Sequence, residues 1–387
     1  LCEKACMLAP ADGGVANRDT ELYLIETAYR NGWMKPRLPL RRTGKRVAIV
    51  GAGPAGATLA RLIGSRFATA VIDKKGASDG FRKPCGGLLS PDAQRALSRF
   101  DMTLPTDVLV SPQIFTVKTM DLETGRTAHY QRCYLNMDRA RFDRWLMDAM
   151  PDGVDLYRGV CTSVERRNGV YVLRTGDAEI CARILVGADG AASVVRSFLY
   201  PRAPLKRYVA IQQHFRAAER PFYSCIFDRT TSRFCSWAIS KDDTLIYGGV
   251  FEPKGCREAF EAQKKRLPKA DFDLRTPIYT EACAVLRPEG VRQFRLGYDN
   301  AFLVGEAAGF ISPTSFEGIS WAITGASLLA DALTEHAGHI ERAERLYRAK
   351  TRAMRAKLYA KQLKAPFMYN RVLRNLILRS GLRAVKL

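Results

Sequence analysis

The stretch RVAIVGAGPAGATLARLIG, residues 46–64, decides the fold. Val47 to Val50 read as a buried strand, GAGPAG at 51–56 as a glycine turn, and the alanine- and leucine-rich run after it as a helix. The turn fits GxGxxG. Gly51 permits a tight turn, Gly53 lets the backbone approach a pyrophosphate, and Gly56 lets helix and strand pack closely. Pro54 and Ala55 open the helix, where unpaired N–H groups and the positive dipole end would receive an anion. ATAVIDKK, 68–75, is a second strand. It reaches Asp73, 22 residues after Gly51, with Lys74 beside it as a further cofactor-binding candidate. That is the spacing of a carboxylate that accepts hydrogen bonds from an adenosine ribose. A turn that merely connects strand and helix is the bland alternative, and the company of strand, helix and acid disfavours it. The turn alone does not separate NAD from FAD.

Two later segments repeat the strand-then-turn pattern. LVGADGAASVVR places Asp189 and Gly190 at the end of a buried strand, followed by Ser193 and Arg196. AFLVGEAAGFISPTSFEGISWAI places Gly305 and Glu306 after another, followed by Gly318 and Ile319. In these three elements the chain resembles the flavoprotein hydroxylase superfamily, which shares GxGxxG, a DG motif and a late GD motif. The resemblance implies FAD, with Glu306, where Asp is commoner, at the ribityl chain. It also aims the helix that starts near Gly318 at the flavin's pyrimidine edge, where a helix N-terminus stabilises anionic reduced flavin. Arg139, in RARFD, matches an arginine that contacts the cofactor in that superfamily; a surface helix arginine is the alternative.

KPCGGLLSPDAQRAL at 83–97, taken with GEAAGFISPTSFEGISWAITG, is similar to the geranylgeranyl reductase family, most of all to its CbrA-type branch, over roughly residues 45–380. The family's known chemistry, reduction of isolated C=C bonds in polyprenyl chains by hydride from reduced FAD, is what this resemblance implies. Cys85 matches a loop cysteine beside the flavin that could give a proton or tune the ring; an inert buried thiol carries equal weight. Gly86 and Gly87 would let backbone lie flat against the cofactor. Trp237, in CSWAIS, falls where polyprenyl reductases carry YxWxFP, but the neighbouring Tyr, Phe and Pro become Cys235, Ile239 and Ser240. That departure touches the substrate rather than the flavin. Phe215, Phe222, Phe227, Phe234, Tyr247 and Phe251 either line an apolar pocket or form ordinary sheet core, with core favoured.

The implied fold is α/β: a Rossmann-type FAD-binding fold of the flavoprotein hydroxylase type, a β-rich substrate domain and a C-terminal basic helical region. The expected division is a leader at 1–44, an FAD-binding domain from 45–107, 133–205 and 291–340, a substrate domain from 108–132 and 206–290, and a basic region at 341–387. An FAD-dependent oxidoreductase acting on a C=C bond of a hydrophobic, isoprenoid or lipid, substrate is the leading function. An FAD-dependent monooxygenase using NAD(P)H and oxygen, and a non-catalytic electron-carrying subunit, are its rivals. No second GxGxxG appears, so electrons enter from a ferredoxin-like donor or by direct attack of NAD(P)H.

LCEKAC opens the chain, and spacing alone leaves metal ligation and redox chemistry open for Cys2 and Cys6. The run from Cys2 to Gly56 resembles the small chain of glutamate synthase, which implies half of an iron–sulfur site whose other thiolates lie upstream of Leu1. A cluster is therefore expected only in a longer chain, and no metal site in this one. The ten cysteines form no CxxC pair, which argues against a disulfide framework and for a reducing, cytoplasmic setting. No run of eighteen apolar residues and no signal peptide is visible, against spanning or secretion.

The net charge is +22, and Glu341 to Leu387 carry fourteen Lys/Arg against two Glu. YRAKTRAMRAKLYAKQLK, with Leu346, Met354, Leu358 and Leu363 among its cations, reads as a basic amphipathic helix for an anionic membrane surface, at the inner face. Non-specific nucleic-acid binding is the rival, and a solvated helix packed by one face on the FAD domain is the alternative. Sequence-specific nucleic-acid binding is not expected.

Overall fold

The computed structural model describes residues 17–31, 44–74, 83–100, 102–216, 222–269 and 272–381. Cys2 and Cys6 lie outside them. Residues 1–41 form a unit of their own, which holds α1 (Asn17–Arg30). Everything below concerns residues 42–387.

The opening quotation folds as it reads: β1 (Arg46–Val50), α2 (Pro54–Ile63) and β2 (Ala68–Asp73). Val47, Ala48 and Ile49 are wholly buried because β1 is a central parallel strand covered on both faces, which explains its unbroken apolar run. Burying such a valine or isoleucine is worth about 1.5–3 kcal/mol. Next come β3 (Leu88–Leu89), α3 (Pro91–Leu97), β4 (Ile114–Asp121), β5 (Arg126–Asn136) and α4 (Arg139–Asp148). Ser90 caps α3 by accepting from the Ala93 N–H, and Asp138 caps α4 by accepting from the Arg141 N–H. The first segment of the β-rich region expected at 108–132 is thus a hairpin of two long strands, β4 and β5.

β6 (Val154–Arg158) joins the edge of the first sheet; β7 (Cys161–Arg167), β8 (Val170–Thr175) and β9 (Ala178–Ala182) form a small antiparallel sheet. β10 (Ile184–Gly187) lies parallel beside β1 and leads into α5 (Val194–Leu199). Then follow β11 (Arg207–Arg216), β12 (Phe222–Phe227), β13 (Cys235–Lys241), β14 (Thr244–Phe251), α6 (Cys256–Arg266) and β15 (Tyr279–Leu286). After β16 (Gly297–Tyr298) and β17 (Ala301–Leu303) come α7 (Ile319–Glu335), α8 (Ile340–Lys350), α9 (Arg352–Tyr369) and α10 (Arg371–Ser380).

Two large sheets result. The first has the order β16-β17-β10-β1-β2-β6; the second has eight strands, β15-β11-β14-β13-β12-β4-β5-β3. The second sheet alternates cleanly. Ile211, Phe215, Tyr247 and Phe251 pack with Phe260 of α6 on one face, while Tyr208, Ala210, Phe234 and Val250 cluster on the other. The aromatics singled out in the sequence therefore divide: Phe215, Tyr247 and Phe251 are core under α6, and Phe227 and Phe234 belong to the opposite face. The side chain of Phe222 lies outside the described residues.

The basic region corrects its sequence reading. Met354 and Leu358 are buried in the same core as β1, Leu346 packs against it, and the Tyr347 hydroxyl donates to the Leu303 carbonyl at 2.9 Å. Of the four apolar residues expected to face a membrane, only Leu363 is exposed. Among the described residues no helix is long and apolar enough to cross a membrane.

Candidate active site

The three sequence motifs meet through their glycines. Gly51 adopts φ +98°, a conformation that disfavours any side chain. A Cβ there would stand 2.7 Å from the Ala188 carbonyl oxygen, one residue before Asp189. A Cβ on Gly56 would meet the Gly51 carbonyl oxygen at 1.8 Å, so α2 lies against its own turn with no room for a methyl. A Cβ on Gly305, at φ +57°, would stand 3.0 Å from the Ala55 methyl, and Gly190 faces the Glu306 carboxylate. Arg196, buried in α5, ties two motifs together: its guanidinium donates to the carbonyls of Gly190, Ala191 and Ala307.

The polar groups around this junction suit an adenine dinucleotide. Gly53 ends the turn as the N-cap of α2 with no side-chain cap, and Pro54 follows as its first residue. The buried Asp73 accepts the Ala52 N–H at 3.1 Å, which sets its carboxylate beside the turn; Lys74 follows it, exposed. Asp189 accepts from the Val194 N–H at 2.7 Å through Oδ2, while its Oδ1 is buried and has no partner among the described residues. Burial pushes the Asp189 carboxyl up, against hydrogen bonds from Ser193 and the following N–H groups. An orphaned acceptor there is what a ribose or ribityl hydroxyl would satisfy.

Glu306 is held rather than free. It accepts from Lys83 at 2.7 Å through Oε2 and from the Leu286 N–H at 2.9 Å through Oε1. Burial works against the charge on Lys83, yet the Glu306 carboxylate outweighs it and the lysine pKa rises. The N-terminus of α7 is partly occupied as well. Gly318 is its N-cap without a side chain and Ile319 its first residue, but Glu317 accepts from the Ser320 N–H and hydroxyl at 3.0 Å each.

Lys83 also starts the loop that carries Cys85. This loop is wedged between the motif junction and β13. A Cβ on Gly86 would lie 2.8 Å from Ile239 and 3.8 Å from the Trp237 ring; one on Gly87, at φ +60°, would strike the Met137 carbonyl oxygen at 2.4 Å. Lys241 pins the loop from below, donating to the Asn136 side chain at 2.6 Å and to the carbonyls of Met137 at 2.8 Å and Gly87 at 3.0 Å. Burial pushes the Lys241 ammonium from 10.5 down to about 7, against the pull of Cys85, Asp138 and Asp242. Cys85 accepts the Gly87 N–H at 3.4 Å and faces Arg139. Burial opposes the charge of Arg139, but Asp143 at 2.8 Å and the Cys85 sulfur more than restore it. Arg139 is a buried part of this cluster, not a surface residue of α4.

Trp237 stands across from this loop, on the same face of the sheet as Gln212 of β11, and Gly248 lies between them in register. Trp237 Nε1 and Gln212 Oε1 are both buried without a partner among the described residues. Glu281 of β15 accepts from Gln212 and lies 3.0 Å from His214 Nε2. Two residues on, Cys283 sits near Lys83 and Cys85, its thiol pushed up to about 11 by burial.

Lys83, Lys241 and Cys283 were not singled out by sequence. Lys83 had one signal: a glutamate in place of the usual aspartate needs a partner one methylene further out. Lys241 and Cys283 had none, since only strand register brings them to residues more than 100 positions away. Among the described residues no group of three or more His, Cys, Asp or Glu could hold a metal ion.

No family model matches the chain. Solved structures share its fold. A geranylgeranyl bacteriochlorophyll reductase-like protein of Thermoplasma acidophilum superposes with a TM-score of 0.68 at 18% identity, covering 83% of this chain and 86% of that one. PqsL of Pseudomonas aeruginosa, a probable FAD-dependent monooxygenase, gives 0.65 at 19% identity, covering 86% and 99%. The fold is the Rossmann-type FAD-binding fold of the flavoprotein hydroxylase type. Within that class the chain belongs to the CbrA family: it is 44% identical over 345 residues to Protein CbrA of Escherichia coli O6:H1, across 87% of this chain and 93% of that protein.

Proposed function

We propose that the protein is an FAD-dependent oxidoreductase that reduces a C=C bond of a hydrophobic substrate, isoprenoid or other lipid. The observation that supports this most directly is the placement of the Cys85–Gly87 loop. It is fixed to the motif junction by Lys83–Glu306 and to the β-rich sheet by Lys241, between the cofactor-binding motifs and Trp237. Bound FAD, once reduced, supplies the hydride.

The chain's own residues supply the rest. Asp73, Asp189 and the open end of α2 hold the dinucleotide, and Glu306, paired with Lys83, accepts from the ribityl chain. Trp237 and Ile239 give the substrate an apolar wall that excludes water. Trp237 Nε1 and Gln212 Oε1 add one donor and one acceptor for a polar group on it. Hydride adds to one alkene carbon and the Cys85 thiol gives its proton to the other; the thiolate left behind faces Arg139, which stabilises it. The electrons come from NAD(P)H or a ferredoxin-like protein.

A second reading, a monooxygenase, draws on the fold it shares with PqsL. One experiment separates the two. The protein is reduced anaerobically with NADPH, NADH and ferredoxin in turn, then mixed with unsaturated lipids or with oxygen. Flavin reoxidised by lipid and only slowly by oxygen is expected. Fast reoxidation by oxygen with lipids inert overturns the reductase, and reoxidation by neither favours an electron-carrying subunit.

A further inference from the structure

Surface helices of folded proteins bury their apolar side and present their polar side. α10 does the reverse. Its one fully buried side chain is Arg374, which reaches back to the β4–β5 hairpin and pairs with Asp121 at 2.9 Å and Glu123 at 3.1 Å. Its outward face is Val372, Leu376 and Ile377, which are 65%, 56% and 40% exposed. The preceding helix, α9, also exposes Leu363 and Phe367, four residues apart and 60% and 52% exposed. Lys364 and Arg379 on the same two helices are exposed, as is Arg371, whose guanidinium lies 3.7 Å from Glu123.

The packing that holds the pair in place is independent of this face. Met368 and Tyr369, at the junction of the two helices, pack against Cys225, Phe227 and Cys235 of the eight-stranded sheet, and the Tyr369 hydroxyl donates to the Thr314 carbonyl. Asn370 caps α10 by accepting from the Val372 and Leu373 N–H groups. Met354 and Leu358 at the start of α9, Arg374 and the Met368–Tyr369 junction thus anchor the helices, while Leu363, Phe367, Val372, Leu376 and Ile377 stay exposed.

We infer that α9 and α10 dock the protein onto an anionic lipid bilayer, Leu363, Phe367, Val372, Leu376 and Ile377 entering the acyl boundary while the exposed cations meet the headgroups. Charge selects this occupant. A second copy would set the same cations against themselves, in a chain of net charge +22 whose last 47 residues carry an excess of +12. An anionic bilayer complements both the apolar side chains and the cations. This inference does not depend on the redox reading, since it concerns a face with no part in the motif junction.

The test uses the full chain as purified and vesicles of phosphatidylcholine alone or mixed with phosphatidylglycerol. Flotation is expected with the mixed vesicles and to weaken as salt is added, because exposed cations are screened. Substituting Phe367→Ser and Leu376→Ser together is expected to weaken binding about tenfold or more, with unchanged flavin absorbance and melting temperature. Absence of binding to the mixed vesicles overturns the inference, and so does equal binding by the double variant. A wild-type dimer in sedimentation velocity that the same substitutions dissolve overturns it in favour of a second copy.

Discussion

The motif junction and the loop clamped above it use opposite devices. At the junction, contact is between backbones, so almost any added atom is excluded: Gly51, Gly56 and Gly305 are glycine because a carbonyl or a methyl already fills the space. At the loop, contact is between long side chains and backbone. Lys83 spans to Glu306, and Lys241 reaches Gly87 from the far end of β13. The first device dictates residue type locally; the second needs only a cation somewhere within reach.

Substitution should show the same ranking. Gly56→Ala puts a methyl 1.8 Å from a carbonyl oxygen, which neither rotamer change nor a small shift can relieve. The expected result is protein without flavin absorbance and destabilised by about 3 kcal/mol or more in denaturant unfolding. A variant that keeps its flavin and its midpoint would break the contrast.

The sequence was legible where the first device operates. GAGPAG, the DG turn and GEAAG could be placed on strand ends before any coordinates, because close backbone approach leaves glycine no substitute. The apolar run of β1 and the alternation in β11 to β14 were legible for a like reason: burial acts on residue type. The loop's partners were not, since Lys241 and Cys283 gain meaning only from strand register. The C-terminal helices misled in a different way. Their basic amphipathic pattern was visible, but which apolar residues faced inward depended on the core that Met354 and Leu358 fill.

The Lys83–Glu306 pair gives the next effect. Lys83→Met leaves Glu306, whose side chain is 8% exposed, with a single backbone donor. Because Lys83 is one-third exposed, the pair is partly screened, and a loss of about 1–2 kcal/mol is expected. Adding Glu306→Gln should recover part of it, a coupling that a double-mutant cycle measures. Strict additivity would mean the two side chains act separately.

The last effect is a slope in pH. Lys241 titrates near 7 in the folded protein and at 10.5 when free, so between those values the unfolded chain binds more protons. The cost of burying the ammonium is fully present below pH 7 and is relieved as pH rises toward 10.5. Wild-type stability, measured against Lys241→Met, should therefore climb across that window; a flat difference would show that the three hydrogen bonds hold the charge unperturbed.

The proposed chemistry requires a dinucleotide seated where the three turns meet. Releasing the cofactor from gently purified protein by denaturation, and identifying it by chromatography and mass, measures this directly. The account predicts FAD, about one per chain, and its loss in Gly56→Ala. A colourless protein that takes up no added FAD would contradict it.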